Sequence, residues 1–346
     1  MTGRARLLAA ANLESVDTTP VWFMRQAGRC LPDYRALRER YSFMTMATTP
    51  GLAAATTLLP VERFGVDGAV LFADIMLPLT GMGVPFEIQP AVGPVIANPI
   101  RTAADVARLR IVEAEEGTPY VLEALRLLKP ALGERAALLG FSGAPFTLAC
   151  YLIEGRPSRE FPRAKAMMYG NPVLWHSLMD TLAEVVIRYL RGQIAAGADA
   201  VQLFDSWLGL LDPPSYEAFV LPYTKRIFAA LRGMAPTIHF STGTVALTEL
   251  IGRSGCDLVS VDWRLPLDAA WKRVGHDRGI QGNLDPALLL APWEAVEAGA
   301  REVLRRADGR PGHIFNLGHG IHPETDADQL TRLAGLVHEA GSRPLP

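Results

Sequence analysis

Two arginines flank a glycine turn near the start of the chain. Residues 24–29 read MRQAGR, with Arg25 and Arg29 on either side of a Gln-Ala-Gly tripeptide. Gly28 lets the backbone approach a ligand closely, and guanidinium groups pair bidentately with carboxylate or phosphate. Because the formal net charge of the chain is only -2, this cluster predicts a local anion site and not a generally basic surface.

Three more arginines, Arg35, Arg38 and Arg40, follow in a predicted helix that begins at Pro32. Such positions are typical of a solvated helix face, because the long stems cover the surface while the charge stays in water. We therefore assign the anion site to Arg25 and Arg29, with Arg38 as a weaker addition.

Asp74 closes the apolar run Leu71-Phe72-Ala73. A carboxylate there could cap a helix or pair with one of the arginines. In an arginine-lined cleft, however, it would repel an anionic ligand unless that ligand carries N–H groups or develops positive charge. Asp74 therefore predicts a ligand that is acidic at its edge and rich in N–H groups at its centre.

Three further polar residues follow predicted strands. Tyr151 ends a helix-like stretch, where a buried structural tyrosine is the more common interpretation. Ser206 could simply cap the next helix. His319 lies between Gly318 and Gly320, and this context favours a functional histidine because it offers no helical or strand packing.

The sequence lacks the patterns of metal, nucleotide and covalent-nucleophile chemistry. A zinc site needs three or four well-spaced ligands, and His239 and Cys256 do not form such a cluster. Neither a Gly-x-Ser-x-Gly elbow nor a Walker loop is present. We therefore expect chemistry without a metal, a cofactor or a covalent intermediate.

Alternating strands and helices are predicted to position these residues. The strands are 21–24, 69–73, 137–141, 200–204, 237–240, 258–261, 279–281 and 313–316, and the helices are 52–64, 119–132, 173–196, 216–232, 245–254, 293–306 and 326–340. This alternation predicts a parallel sheet, and eight units favour a single (β/α)8 TIM-type barrel. An open doubly wound sheet would need a Gly-x-Gly-x-x-Gly turn, whereas Gly81-Met82-Gly83 leads to Pro85.

The candidate residues all follow predicted strands of this barrel. Arg25 and Arg29 follow the first strand, Asp74 the second, Ser206 the fourth and His319 the eighth. Residues just beyond the carboxyl ends of barrel strands share one rim, where active sites are built. The sequence therefore predicts one cleft at the C-terminal ends of the strands.

Composition narrows the class of protein. With 49% hydrophobic and 20% charged residues and no linker, we expect one domain over residues 1–346. The near-neutral charge argues against a nucleic-acid partner, and the absence of a long apolar run argues against a membrane span. Cys30, Cys150 and Cys256 are widely spaced, which fits a reducing cytoplasm.

Ordered motifs from about residue 14 to the C-terminal helix resemble those of the uroporphyrinogen decarboxylase family. They are PVWFMRQAGR at 20–29, LPDYR at 31–35, FADI at 72–75, GFSGAPFTL at 140–148, YLIEG at 151–155, QLFDS at 202–206, VDW at 261–263, QGNLDP at 281–286 and NLGHG at 316–320. One departure is Cys30, where the family usually carries an aromatic residue. Because Cys30 is expected outside the ligand contacts, this departure concerns local packing.

The resemblance implies a cofactor-independent, metal-free carboxy-lyase of haem biosynthesis. Such enzymes convert the four acetates of uroporphyrinogen III to methyls, giving coproporphyrinogen III and four CO2. The resemblance also implies a homodimer, whereas the expectations of a cytoplasmic location and of no nucleic-acid or membrane partner rest on the composition described above. It implies that Asp74 and Arg25 are catalytic and that the substrate is bound by Arg25, Gln26, Ala27, Gly28, Arg29, Asp74, Tyr151, Ser206 and His319.

Two alternative functions remain open from the residues. A cobamide-linked methyltransferase of related fold would need a cysteine close after His239, but Phe240, Ser241 and Thr242 follow it. A non-catalytic tetrapyrrole-binding protein would have no need of Asp74, because holding carboxylates does not require an anion.

Overall fold

A curled parallel sheet forms the centre of the computed structural model, which describes residues 1–89 and 92–342. The strands are β1 (Gly68–Val70), β2 (Phe86–Gln89), β3 (Gly93–Ile96), β4 (Ala137–Gly143), β5 (Ala200–Asp205), β6 (Thr237–Ser241), β7 (Leu258–Ser260), β8 (Gly279–Leu284) and β9 (His313–Leu317). Within the described residues the main sheet has 7 strands in the order β1-β4-β5-β6-β7-β8-β9, while β2 and β3 form a separate antiparallel hairpin.

An irregular stretch, residues 20–22, lies between the two edge strands of the main sheet, and we call it the closing segment. Val21 forms a parallel bridge with Phe315 of β9. On the other side, the backbone N–H of Asp67 donates to the carbonyl of Val21 at 2.8 Å, one residue before β1. The predicted barrel is thereby confirmed as a curled parallel sheet whose edges meet through this segment.

The prediction of a regular strand at 21–24 is wrong. Pairing with β9 is limited to one bridge, in which the carbonyl of Pro20 accepts from the N–H of Phe315 at 2.8 Å and the N–H of Trp22 donates to the carbonyl of Phe315 at 3.3 Å. The chain then turns, since the N–H of Gln26 donates to the carbonyl of Phe23 at 3.0 Å and Arg25 adopts a φ of 61°. The other seven predicted strands are confirmed within a few residues.

Helices cover the outside of the sheet. They are α1 (Gly3–Ala11), α2 (Pro32–Arg40), α3 (Phe43–Thr48), α4 (Pro50–Phe64), α5 (Leu77–Gly81), α6 (Ala103–Ala107), α7 (Ala114–Gly117), α8 (Pro119–Leu132), α9 (Pro145–Glu154), α10 (Pro162–Gly170), α11 (Pro172–Ala195), α12 (Pro213–Phe219), α13 (Leu221–Leu231), α14 (Thr248–Gly252), α15 (Leu267–Val274), α16 (Trp293–Ala307) and α17 (Ala327–Ala340), with short 3-10 turns at Leu208–Leu210, Val245–Leu247 and Pro286–Leu290. Among the described helices, none combines the length and the continuous apolar character that a membrane span requires.

Prolines set several helix boundaries. Many helices begin with proline, whose missing N–H has no role in the first turn and whose φ already suits a helix. The single helix predicted at 216–232 is wrong because Pro222 interrupts it: α12 ends at Phe219 and α13 begins at Leu221. The helix predicted at 245–254 begins instead as a 3-10 turn before α14.

A polar layer crosses the barrel interior below its C-terminal rim. The indole of Trp22 donates to Gln281 at 3.0 Å, and Gln281 donates to Gln202 at 3.0 Å and to Ser260 at 2.9 Å. All four side chains are fully buried, so each hydrogen bond fixes the relative positions of the strands that carry it. This layer supports the site above it.

Candidate active site

A cavity of about 760 Å³ opens at the C-terminal rim of the main sheet, where the cleft was predicted. Its floor is aromatic: the rings of Phe141, Phe204 and Phe240 stack edge to face on three neighbouring strands at 5.4 Å. The hairpin of β2 and β3 contributes Ile88 and Pro94 to one wall. The cavity therefore presents an apolar floor to any ligand, with polar groups around it.

The structure brings eight of the nine predicted site residues together around this cavity. Gln26 is the exception, because its side chain is fully buried and turned toward the sheet. Its Oε1 accepts from the N–H of Phe23 at 3.0 Å, and its Nε2 donates to the carbonyl of Gly68 at 2.9 Å. Gln26 thus ties the arginine turn to β1. The residues around the cavity are Arg25, Ala27, Gly28, Arg29, Asp74, Tyr151, Ser206 and His319.

Two glycines make room for Arg25, whose positive φ is uncommon for a non-glycine residue. A Cβ on Gly28 would lie 2.8 Å from the carbonyl oxygen of Arg25. A Cβ on Gly320 would lie 2.4 Å from its Cδ, so the arginine side chain runs directly across Gly320. Gly320 of the Gly-His-Gly motif therefore also leaves room for the Arg25 side chain, a role that the sequence did not indicate.

The remaining arginines of the cluster do not line the cavity. Arg35 donates to the carbonyl of Arg29 at 2.8 Å, and Arg38 donates to the carbonyl of Tyr41 at 2.7 Å. Both guanidinium groups thus brace backbone beside the cavity mouth. Arg29 itself is exposed at that mouth, where a ligand can reach its charge.

Asp74 lies just beyond β1 and is half-buried. Loss of surrounding water raises the pKa of its carboxyl group above 3.8, while the Met76 N–H, which donates to Oδ1 at 2.8 Å, and the charge of Arg25 act against this rise. Among the described residues, no side chain donates to Asp74. Its carboxylate is therefore available to N–H groups of a ligand.

His319 is held in one tautomer. Its Nδ1 accepts from the N–H of Gly320 at 2.7 Å, which places the ring proton on Nε2. Burial lowers its pKa to about 4, and the nearby charges of Arg25 and Arg264 add to this effect. At neutral pH, His319 is an uncharged hydrogen-bond donor.

Tyr151 and Ser206 complete the polar lining. Burial raises the pKa of Tyr151 to about 12, so its hydroxyl keeps its proton at neutral pH. Its ring is packed edge-on by Phe161 at 5.7 Å and by Trp207 at 6.1 Å. Ser206 directly follows β5 and is half-buried.

Cys30 lines the cavity, although it was expected to lie outside the ligand contacts. It is 5% exposed, and burial raises the pKa of its thiol to about 11. The aromatic floor was also not predicted. The sequence feature that could have indicated it is the position of Phe141, Phe204 and Phe240 near the ends of three strands, at sites whose side chains point inward.

His239, the zinc candidate, lies outside the cavity. It is fully buried on the outer face of β6, packs against Phe228 at a ring distance of 5.5 Å, and lies 4.0 Å from Asp205. Among the described residues, no group of three or more His, Cys, Asp or Glu side chains is arranged to hold a metal ion.

Comparison with known proteins identifies the family. A family model described as uroporphyrinogen decarboxylase matches residues 2–340. Relatives of that name occur in Carboxydothermus hydrogenoformans, 50% identical over 97% of this chain and 96% of its own, and in Streptomyces griseus subsp. griseus, 53% identical over 99% and 93%. A solved methyltransferase from Methanosarcina mazei shares the fold, with a TM-score of 0.82 and 22% identity over 98% and 99% of the two chains. The chain belongs to the uroporphyrinogen decarboxylase family.

Proposed function

We propose that this protein decarboxylates the four acetate side chains of uroporphyrinogen III, giving coproporphyrinogen III and four CO2. The observation that carries this proposal is the pairing of Asp74 with the cavity-lining arginines Arg25 and Arg29. The substrate has the complementary pattern, with eight carboxylates at its edge and four pyrrole N–H groups at its centre. The names of the relatives support the same reaction.

Binding follows from this complementarity. Arg25 and Arg29 hold peripheral carboxylates, and each charge-assisted pair contributes about 1.5–3 kcal/mol. Asp74 accepts hydrogen bonds from the central N–H groups. The aromatic floor covers one face of the macrocycle, and the neutral Nε2–H of His319 donates to a substrate oxygen.

The reaction uses the substrate as its own electron sink. Protonation of a pyrrole carbon makes the ring cationic, and the ring then accepts the electron pair of the breaking C–C bond as CO2 leaves. A second proton, delivered to the former acetate carbon, completes the methyl group as the ring carbon gives up its own. Asp74 stabilises the intermediate cation, and removal of one such preorganised group costs about 3–4 kcal/mol in the transition state.

Arg25 is placed to hold the reacting acetate beside this charge. It lies close enough to Asp74 to influence the pKa of that carboxyl group. A guanidinium rarely gives up a proton at neutral pH, so we assign Arg25 to anchoring the acetate.

Anaerobic incubation with uroporphyrinogen III tests the function. Chelator-treated protein should release four CO2 molecules per ring and accumulate coproporphyrinogen III without added metal. Protein that binds the substrate under these conditions but releases no CO2 would contradict the proposal.

The assembly and location of the protein are also proposals. We propose a homodimer of one-domain subunits, because the family resemblance implies a dimer, and a cytoplasmic location, because the three buried free cysteines suit a reducing compartment. Light scattering after size-exclusion chromatography should give twice the mass of 37.6 kDa. A monomer mass at micromolar concentration would contradict the dimer.

A further inference from the structure

A rigid loop follows β7 at the same rim as the cavity. The carboxylate of Asp262 accepts from the N–H of Gly243 at 2.5 Å, the hydroxyl of Thr242 at 3.0 Å and the N–H of Arg264 at 2.9 Å. The side chain of Asp262 is only 4% exposed, so these hydrogen bonds lie away from bulk water. They join the loop after β7 to the loop after β6.

Asp262 and the neighbouring Trp263 hold the side chain of Arg264 in place. Its Nη1 donates to Asp262 at 2.8 Å, and its guanidinium lies 4.2 Å from the ring centroid of Trp263. Among the described residues, no group accepts a hydrogen bond from its Nε or Nη2. The side chain is 47% exposed, so these donors remain accessible while the group is held in place.

The loop adjoins the cavity through the Gly-His-Gly motif. A Cβ on Gly318 would lie 2.6 Å from the backbone nitrogen of Trp263, so the two backbones are in direct contact. His319, the next residue, lines the cavity. The charge of Arg264 also contributes to the lowered pKa of His319.

We propose that Arg264 is a further substrate-binding residue, which holds a peripheral carboxylate at the β7 side of the cavity mouth. This inference rests on the proposed function. The substrate carries eight carboxylates, but the only arginines among the described cavity-lining residues are Arg25 and Arg29. A guanidinium held in place by Asp262 and Trp263 loses little side-chain freedom when it binds another carboxylate.

Steady-state kinetics of Arg264→Gln test this role. Loss of one charge-assisted pair should raise KM for uroporphyrinogen III by about 10- to 100-fold with a much smaller change in kcat. The slope of log(kcat/KM) against log ionic strength should also become shallower, which loss of a purely structural contact would not cause. Arg264→Lys keeps the charge but not the flat guanidinium, so its KM should lie between those of the wild type and Arg264→Gln.

Arg273→Gln is the matched control. Arg273 is an exposed arginine on α15 whose Nη1 donates to a backbone carbonyl at 3.0 Å. The backbone contacts of Asp262 remain in Arg264→Gln, so both variants should fold. If KM and the salt slope of Arg264→Gln equal those of the control, the inference fails. A wild-type protein that does not decarboxylate the substrate would instead contradict the proposed function.

Discussion

At the residue scale, Asp74 combines a raised carboxyl pKa with one nearby positive charge, that of Arg25. A half-buried carboxylate of this kind is most useful when a positive charge develops next to it. Asp74→Asn preserves the size of the side chain while removing the charge and one of the two acceptor oxygens, which makes it the direct test of this role.

We expect Asp74→Asn to lower kcat by about 100- to 1000-fold while uroporphyrinogen still binds, because the lost interaction is made mainly in the transition state. Single-turnover kinetics and a separate binding measurement distinguish the two effects. Asp308→Asn is the control, since Asp308 is exposed and adopts a left-handed φ of 51° that asparagine tolerates. Unchanged turnover in Asp74→Asn would rule out the electrostatic role.

The same carboxyl group predicts the acid limb of the pH profile. Because the pKa of Asp74 is raised above 3.8, the charged form is lost at a higher pH than for an ordinary aspartate. In a plot of kcat/KM against pH, the midpoint of the acid limb should therefore lie above pH 3.8. This limb should be absent from the residual activity of Asp74→Asn, and a limb shared by both proteins would belong to another group.

His319 links stability to pH. Its pKa is about 4 in the folded protein against 6.5 for an ordinary histidine, so the unfolded chain binds the proton more readily between these values. Stability should fall by at most about 3 kcal/mol as the pH drops from 6.5 to 4. Urea titrations of wild type and His319→Asn should show a smaller loss in the variant over that range, and equal losses would contradict the assignment.

At the element scale, the contact between Arg25 and Gly320 joins the turn after the closing segment to the loop after β9. In Gly320→Ala the new methyl group would meet the Arg25 side chain, which can move aside more easily than backbone. We expect kcat/KM to fall at least 10-fold with little loss of stability. Gly335→Ala is the control, because that position in α17 has open space and alanine should stabilise the helix by up to about 1 kcal/mol.

The sequence predicted best those strands and helices whose hydrophobic pattern repeats along the chain. Short β-branched runs between amphipathic helices identified seven strands, and the motif order brought Arg25, Asp74 and His319 to one rim. The irregular form of the closing segment was not predicted, because its pairing depends on Asp67 and Phe315, which lie far apart in the chain. The orientation of the Gln26 side chain could not be predicted either. A polar residue between two cavity-lining arginines is expected to face the cavity, and nothing in the neighbouring sequence indicates that it faces the sheet.

At the scale of the whole molecule, Asp67 connects the two ends of the chain to the sheet. Its carboxylate accepts from Arg6 at 2.6 Å and from the N–H of Val21 at 2.8 Å, and it pairs with His338 at 2.7 Å. These partners belong to α1, the closing segment and α17. The side chain is 2% exposed, so the contacts are shielded from solvent.

Removing this carboxylate should destabilise the fold strongly. We expect Asp67→Ala to lower the free energy of unfolding by about 2–4 kcal/mol, because the buried N–H of Val21 loses its acceptor and both Arg6 and His338 lose a charged partner, while Asp17 still pairs with Arg6. Asp277→Ala, at an aspartate that is 72% exposed, should change it by less than about 1 kcal/mol. Equal urea midpoints for the two variants would contradict this role.

The contact between the turn after the closing segment and β9 also determines when during synthesis the protein can first become active. Arg25 leaves the ribosome early, but Met24 beside it is held by the side chain of Asn316, 292 residues later. His319 and Gly320 come later still. A nascent chain therefore carries its cavity-lining arginines for nearly the whole of translation before the cavity can form, and we expect activity only after the last strand has been synthesised.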